Sequence, residues 1–529
     1  MLKKSLSSKN IILTLCLIVY LAMGLRLFPS YGIHWDDPVH RTIGGVTYRF
    51  LADSMGGQSS DPQVSGMPKL SEFAAKDYGV LFETPAFAIE RMLNLNDSRD
   101  QFLLRHLLTF FCSLIGIIAI YLIASRRYQN WQLGLLAAIF LVISPRFFAD
   151  SFYNTKDLVF MAVFTMSVNT MLLFAQRQNK KMAFIHGLMT AFAVDVRILG
   201  ILIFTGTLLL LALQIIKKEL SVRKIVLPLL IYICTTIFFI IACFPYLWED
   251  PFKFFQVFGT MARFPWNHEV LYFGEFIRAT NLPWHYIPAW IGITTPVFYL
   301  FLFIFGASTT LAIIFKNRFK LWSNDAEMQD VVFLALFVLP IAIVITLHSV
   351  LYDGWRHLYF IYPAFLLVCL RGFVFLRDHF FTKKIAKTFF YLLTCCILGY
   401  YAYWIRANHP YQSTFFNIFA GSEKRYRFDI DYWGVGNRRA LEKLLEKDPR
   451  PQIKIFPVSY TQLDYSFMVL SEDVRYRISL ANSEADADYI LTNYRNVPFS
   501  KDQQLLAKYP VYLQIKVDSE PIITIYKVK

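Results

Sequence analysis

The chain has 529 residues, of which 56% are hydrophobic and 17% charged, with 51 Phe and a formal charge of +15. A soluble domain would carry about 25% charged residues and would not gather its apolar ones into long runs, so the composition excludes a soluble enzyme and specifies a polytopic membrane protein. It also gives no nucleic-acid reader, because Lys and Arg fall in short clusters between apolar runs and not on one folded basic face.

The first apolar run covers 11–27 and follows Lys3, Lys4 and Lys9 with no acid in between, which predicts a cytoplasmic N-terminus and an outward exit. It is long enough to span and lacks a small-residue cleavage site, so no separate signal peptide is predicted. Further runs predict spans near 102–124, 131–144, 158–175, 182–194, 198–216, 225–244, 296–315, 331–348, 358–376 and 388–405, about eleven in all with a range of roughly 10–13. Basic clusters check this assignment independently. Arg126-Arg127, Arg177 with Lys180-Lys181, Lys217-Lys218 with Arg223-Lys224, Lys316 with Arg318 and Lys320, and Arg377 with Lys383-Lys384 occupy alternate loops, and one orientation makes them all cytoplasmic. The prediction is a multi-pass protein of the cytoplasmic (inner) membrane whose C-terminus lies outside. All seven cysteines sit in apolar segments without metal-ligand spacing, so no disulfide framework follows.

Three regions on the predicted outer face are too long to be turns. The loop 29–100 contains His34-Trp35-Asp36-Asp37-Pro38, a Gly/Ser-rich break at 55–65, and short helices predicted at 38–51 and 85–95. The loop 245–288 contains Trp248-Glu249-Asp250, His268 and Pro283-Trp284-His285-Tyr286. The tail 406–529 reads as a soluble α/β extracytoplasmic domain following a membrane module at 1–405. Its predicted elements are a helix at 438–446, strands at 453–458 and 489–492, and a hairpin of 511–517 with 521–528.

Ionisable residues gather at the same outer boundary. Asp36 and Asp37 follow the first span, Arg105 and His106 enter the second, and Lys156 and Asp157 precede the fourth. Asp195 and Arg197 join the fifth to the sixth, and His348, Asp353, Arg356 and His357 join the ninth to the tenth. Singly each could be a snorkelling residue or a structural ion pair. Together they supply carboxylates for proton transfer and permanent cations for an anion. Group transfer from a lipid-linked phosphate needs this equipment: a polyprenyl phosphate leaves without a general acid but requires positive charge at its oxygens, and the acceptor hydroxyl requires a base.

Asp36-Asp37 followed by His40, Lys156-Asp157, and the loop ending Pro283-Trp284-His285-Tyr286 resemble membrane glycosyltransferases of the GT-C type. The match is to glycosyltransferase family 39, the protein O-mannosyltransferase group, and to its relatives the lipid A aminoarabinose transferases. His409-Pro410-Tyr411 with Phe416-Asn417, and Asp431-Tyr432-Trp433-Gly434, are similar to tail pieces of bacterial members. The resemblance implies a GT-C fold with Asp36 as catalytic base, Asp37 where these enzymes commonly carry Glu, and Asp157 at a second acidic position. It places Arg197 near the donor phosphate, with Arg356 and His357 as a second candidate and Lys156 and Arg105 completing the cationic set. His40, Glu83, Trp284, His285 and Tyr286 are the candidates for an acceptor or sugar pocket. His268 and His285 lack compact ligand spacing, so no metal site is predicted; no cofactor is required, although a divalent cation is compatible.

The predicted activity is an inverting glycosyltransferase that moves a hexosyl or pentosyl group from a polyprenyl-phosphate-linked donor to a glycan, lipid or protein acceptor. The alternatives are a polytopic transporter or flippase and a non-catalytic assembly factor of envelope glycan synthesis. A transporter would place charges near the midplane on Gly/Pro-broken helices, whereas these spans are nearly uncharged at their centres.

Overall fold

The structure is a computed structural model that describes residues 8–57, 60–262 and 266–529. Lys3 and Lys4, on which part of the N-terminal charge argument rests, and residues 58–59 of the Gly/Ser-rich break lie outside the described residues. Nine helices among the described residues are long and apolar enough to cross a membrane, or ten if a bent pair counts as one span. The remaining run of the eleven is the 17-residue helix Lys180–Val196. This is a multi-pass α-helical membrane protein carrying an α/β tail.

The helix Ser98–Tyr128 shows how local sequence sets these elements. Asp97 caps it by accepting from the Arg99 amide at 2.7 Å. Its 31 residues run about 46 Å, well beyond a hydrocarbon core of about 30 Å. Gln129 in the left-handed conformation ends it, and Asn130 caps the next helix by accepting from the Gln132 and Leu133 amides. That next helix, Trp131–Val142, breaks through 74° into Pro145–Tyr153. Pro145 starts the second piece, where its missing amide hydrogen costs nothing, and Ser144 is held by Phe140 and by the Tyr362 hydroxyl at 2.8 Å. Every residue of Pro145–Tyr153 is buried.

Close helix crossings depend on small residues. A Cβ on Gly306 would lie 1.9 Å from the Val368 carbonyl oxygen, and one on Gly372 would lie 2.0 Å from that of Leu302. The helices Val297–Lys316 and Tyr362–His379 can therefore approach backbone to backbone. At the ends remote from the tail, Asp330 accepts both nitrogens of the Arg127 fork at 2.9 and 2.6 Å and pairs with Arg371 at 3.4 Å. That clamp ties three helices together.

The last membrane helix, Lys384–Ala407, leads into the tail. There a five-stranded sheet runs in the order Ile478–Leu480, Ile453–Pro457, Tyr489–Thr492, Glu520–Lys527, Val511–Val517. The first two pairings are parallel and the last two antiparallel. The strand Tyr489–Thr492 is buried at every residue, as a central strand covered on both faces must be. The edge strand Ile478–Leu480 and the helix Phe499–Lys508 are additional to the elements read from sequence.

The tail is anchored on the membrane helices. Arg438 donates to the carbonyls of Pro29 and Tyr31, both at 2.7 Å, and Trp404 donates to Asp518 at 2.9 Å. Asn417 donates to the carbonyls of Gly292 and Thr295 at 2.6 and 2.7 Å. The loop 245–288 contributes the helix Lys253–Ala262 and a hairpin of Glu269–Tyr272 with Glu275–Arg278, whose Tyr272 bridges to Phe428 of the tail.

Candidate active site

The segment after the first span divides the acidic pair. Pro38 opens the helix Asp37–Ser54, fixing the backbone so that adjacent carboxylates point apart. Asp37 is 1% exposed and turns inward: its Oδ2 accepts the His34 amide at 3.1 Å, and its Oδ1 lies 3.0 Å from His34 Nε2. The Asp36 amide donates to His34 Nδ1 at 3.1 Å, so that nitrogen is the acceptor and the ring proton sits on Nε2, within ion-pair distance of Asp37. His34 thereby closes a loop around Asp37 and leaves the Asp36 carboxylate free to face outward, where its side chain is 37% exposed.

Across from Asp36 lies Arg356, 5% exposed, with Nη2 at 3.6 Å from Asp36 Oδ2. Two consecutive left-handed residues, Asp353 at φ +56° and Gly354 at φ +70°, form the turn that brings Arg356 there. Aspartate tolerates that conformation better than most residues, and glycine adopts it freely. The guanidinium also reaches Asp157 at 3.2 Å and Asp353 at 3.3 Å, while Trp433 and Tyr352 place their rings 5.2 and 5.0 Å away.

The charges continue on both sides. Asp157 pairs with Arg197 at 2.7 Å, and Asp353 pairs with Arg495 at 2.6 Å. The sequence Arg197, Asp157, Arg356, Asp353, Arg495 therefore alternates in sign, with Asp36 as an open branch. A buried charge is tolerable only when paired in this way. Asp353 is fully buried, and that burial raises its pKa from the ordinary carboxylate value despite the two arginines. Asn154 fixes the start of the helix Asp157–Arg177 by accepting the Asp157 amide at 2.7 Å.

Lys156 lies beside this chain. Its ammonium donates to the Gly79 carbonyl at 3.1 Å and sits 5.1 Å from the Tyr78 ring centre. Burial, reinforced by Arg197 and opposed by Asp195 and Asp157, lowers its pKa to about 7. The segment 78–81 is held by Asp195, which accepts the Val80 and Leu81 amides at 2.9 and 2.7 Å. His357, beside Arg356, packs its ring 4.7 Å from that of Tyr352.

The structure thus brings together Asp36, Asp157, Lys156, Arg197, Arg356 and His357. Other predicted site residues lie elsewhere. Arg105 is buried in an ion pair with Glu83, so the two are engaged with each other rather than lining an open cleft. His40 is buried and shares a hydrogen bond with Thr155 at 3.0 Å. Tyr286 is buried next to Trp290, His285 is bonded by the Tyr272 hydroxyl at 2.6 Å, and Trp284 is 70% exposed. That group belongs to an aromatic cluster around Tyr272 and Phe428 and makes no contact with Asp36 among the described residues. Trp433, Arg495 and His34 also take part, without a site role implied by the sequence, while Asp353 is one of the boundary acids. The motif Asp431-Tyr432-Trp433-Gly434 is the sequence signal for Trp433.

Ligand atoms of His34, Asp37 and His40 lie within 4.8 Å of one another, close enough in principle for a cation. His34 Nε2 is already held by Asp37 and His40 Nδ1 by Thr155. Burial, with His34, Lys156, Arg105 and Arg197 adding to it, lowers the His40 pKa well below the usual value. The trio is closed by its own bonds in a cationic surrounding.

Residues 85–248 match the family described as dolichyl-phosphate-mannose-protein mannosyltransferase. The resemblance to GT-C type membrane glycosyltransferases is borne out over that stretch, which contains Arg105, Lys156, Asp157 and Arg197. Among solved structures, ArnT from Cupriavidus metallidurans bound to undecaprenyl phosphate is similar at 11% identity over 97% of this chain and 98% of that one, with a TM-score of 0.45. The apo oligosaccharyltransferase of Archaeoglobus fulgidus is similar at 12% identity over 79% of this chain and 62% of that one, with a TM-score of 0.44. No curated protein matches the chain.

Proposed function

We propose that the chain is an inverting glycosyltransferase that moves a sugar from a polyprenyl-phosphate-linked donor to an acceptor hydroxyl at the tail-bearing face of the membrane. The observation that carries this reading is the half-exposed Asp36 carboxylate, 3.6 Å from a buried Arg356 that is itself braced by Asp157 and Asp353. The family match over 85–248 supports the class of reaction.

In this reading the acceptor hydroxyl attacks the anomeric carbon of the donor, and Asp36 takes its proton as the new C–O bond forms. The bond from the anomeric carbon to the phosphate oxygen breaks, and its electron pair leaves with the lipid phosphate. Arg356, Arg197 and Lys156 supply the positive charge that the phosphate meets. Asp157 and Asp353 hold the arginines in place, so the cations need no rearrangement when the charge arrives. One displacement inverts the anomeric configuration. The face carrying the tail is the extracytoplasmic one by the distribution of basic loops, which puts the N-terminus in the cytoplasm of a cell whose inner membrane holds the protein.

Replacing Asp36 by Asn preserves shape and removes the base. Transfer of labelled sugar from a polyprenyl-phosphate donor should fall by about 100-fold or more in a variant of unchanged thermal stability. Near-normal turnover would overturn the assignment.

A further inference from the structure

Beside the proposed catalytic groups, aromatic rings line a path between the acidic pair and the junction of the 245–288 loop with the tail. Trp35, the neighbour of Asp36, lies 3.9 Å from the Arg495 guanidinium and meets Tyr460 edge to face at 5.4 Å. Tyr460 in turn faces His268 at 6.0 Å, and His268 meets Trp266 at 5.2 Å. Trp266 stacks at 4.2 Å on Tyr352, the ring beside Arg356. These rings are not core: Tyr460 is 46% exposed, His268 is exposed, and Trp35, Trp266 and Tyr352 are half-buried.

The path opens into a cleft of about 460 Å³ between the hairpin of the 245–288 loop and the tail, lined by Asn267, His268, Glu269, Arg278, Tyr460 and Asn496. Its walls combine exposed ring faces with amides, a carboxylate and a guanidinium. Asn496 lines the cleft while its Oδ1, itself shielded from solvent, has no hydrogen-bond partner among the described residues.

We infer that this cleft binds a saccharide and that the acceptor is therefore a glycan, whose terminal sugar lies against Tyr460 and His268 while its chain leaves toward the tail. A pyranose has one face of C–H groups, which packs on the electron-rich face of an aromatic ring, and a rim of hydroxyls, which need amides and charged groups as partners. A peptide would be better served by an exposed strand edge, since backbone pairing supplies its affinity. The inference rests on the transferase reading for its consequence, because it names the acceptor class of that site, but the binding itself can be measured without donor.

The test is saturation-transfer NMR on the full-length protein in nanodiscs, with maltose and a Ser/Thr-containing hexapeptide as probes and no donor present. Maltose should receive saturation from aromatic protons in the wild type. Tyr460→Ala should remove most of that transfer, at least about tenfold weaker binding, and His268→Ala should weaken it. Tyr460→Phe, which keeps the ring face, should retain it, and so should Asp36→Asn. Absence of maltose contact in the wild type, equal contact in Tyr460→Ala, or binding of the hexapeptide in place of maltose would each overturn the inference. None of these results depends on turnover, so loss of transfer in Asp36→Asn with no saccharide binding would leave the transferase reading standing and remove this one.

Discussion

Asp36 and Arg356 face each other at 3.6 Å with opposite relations to solvent, the carboxylate 37% exposed and the guanidinium side chain 5%. The exposed member is available to a substrate hydroxyl, and the buried one is held by two further carboxylates. A single bidentate ion pair would have locked Asp36 shut. Sharing the guanidinium among three acids leaves Asp36 the loosest of them.

Removal of Arg356 should be felt in both stability and donor binding. Arg356→Ala leaves Asp157 with Arg197 and Asp353 with Arg495 but removes the cation the three acids share, so the cost should fall below the about 3–5 kcal/mol of a buried charge left with no partner. A lower melting temperature is expected, together with weaker binding of polyprenyl phosphate. Arg356→Lys separates the two effects, since it keeps the charge and loses the fork. The lysine variant should recover part of the stability and little of the affinity. Wild-type affinity in a folded Arg356→Lys protein would show that the phosphate does not meet the fork.

Lys156 predicts a pH dependence. Its pKa is lowered to about 7 in the folded protein from an ordinary 10.5. Between those values the unfolded chain binds a proton that the folded one does not, so stability should rise with pH across that window and be flat for this group below it. Melting temperatures in nanodiscs from pH 7 to pH 10 should show a smaller rise in Lys156→Met than in the wild type; identical rises would contradict the lowered pKa. Donor binding should run the other way, strengthening as pH falls and Lys156 becomes cationic.

Much of this site was legible from the chain because charged residues at helix ends are rare enough to stand out. Asp36, Lys156, Asp157, Arg197 and Arg356 could be named by their positions at the ends of apolar runs. What could not be read was who pairs with whom. Glu83 and Arg105 both stood at the right depth, yet they neutralise each other, and only the packing of Glu83–Met92 on Ser98–Tyr128 decides that. Trp433 and Arg495 come from a tail domain whose docking on the membrane helices leaves no periodic trace in sequence. The bent pair Trp131–Val142 and Pro145–Tyr153 reads as one short run ending before a proline: Pro145 marks where the first helix must stop, but the 74° turn that follows is set by packing with distant residues such as Tyr362.

Gly79 offers a purely steric test. A Cβ there would fall 1.2 Å from the Asp195 carbonyl oxygen, a backbone atom that cannot swing aside. Gly79→Ala should displace the segment that Lys156 grips, lowering stability by about 1–3 kcal/mol and reducing activity. Gly206→Ala is the control, because a Cβ at that position meets nothing within 4 Å. Equal melting temperatures for the two variants would mean that the close approach is absent in solution.

The bond between Arg495 and Asp353 should transmit the state of the tail to the membrane site. Arg495→Ala leaves Asp353 with Arg356 alone, which should draw Arg356 away from Asp36 and lower turnover by about tenfold or more, although Arg495 lies outside the proposed donor contacts. Limited proteolysis should cut the tail sooner in that variant. Unchanged kinetics with a firmly docked tail would show that Asp353 needs no second partner.

That same bond sets an order of events during biosynthesis. Arg495 follows Asp353 by 142 residues, so it is synthesised later, and the tail must fold before it can reach its partner. Until then Asp353 has only Arg356, which it shares with Asp36 and Asp157. A nascent chain therefore carries one acid too many for its arginines at this site until the tail has docked.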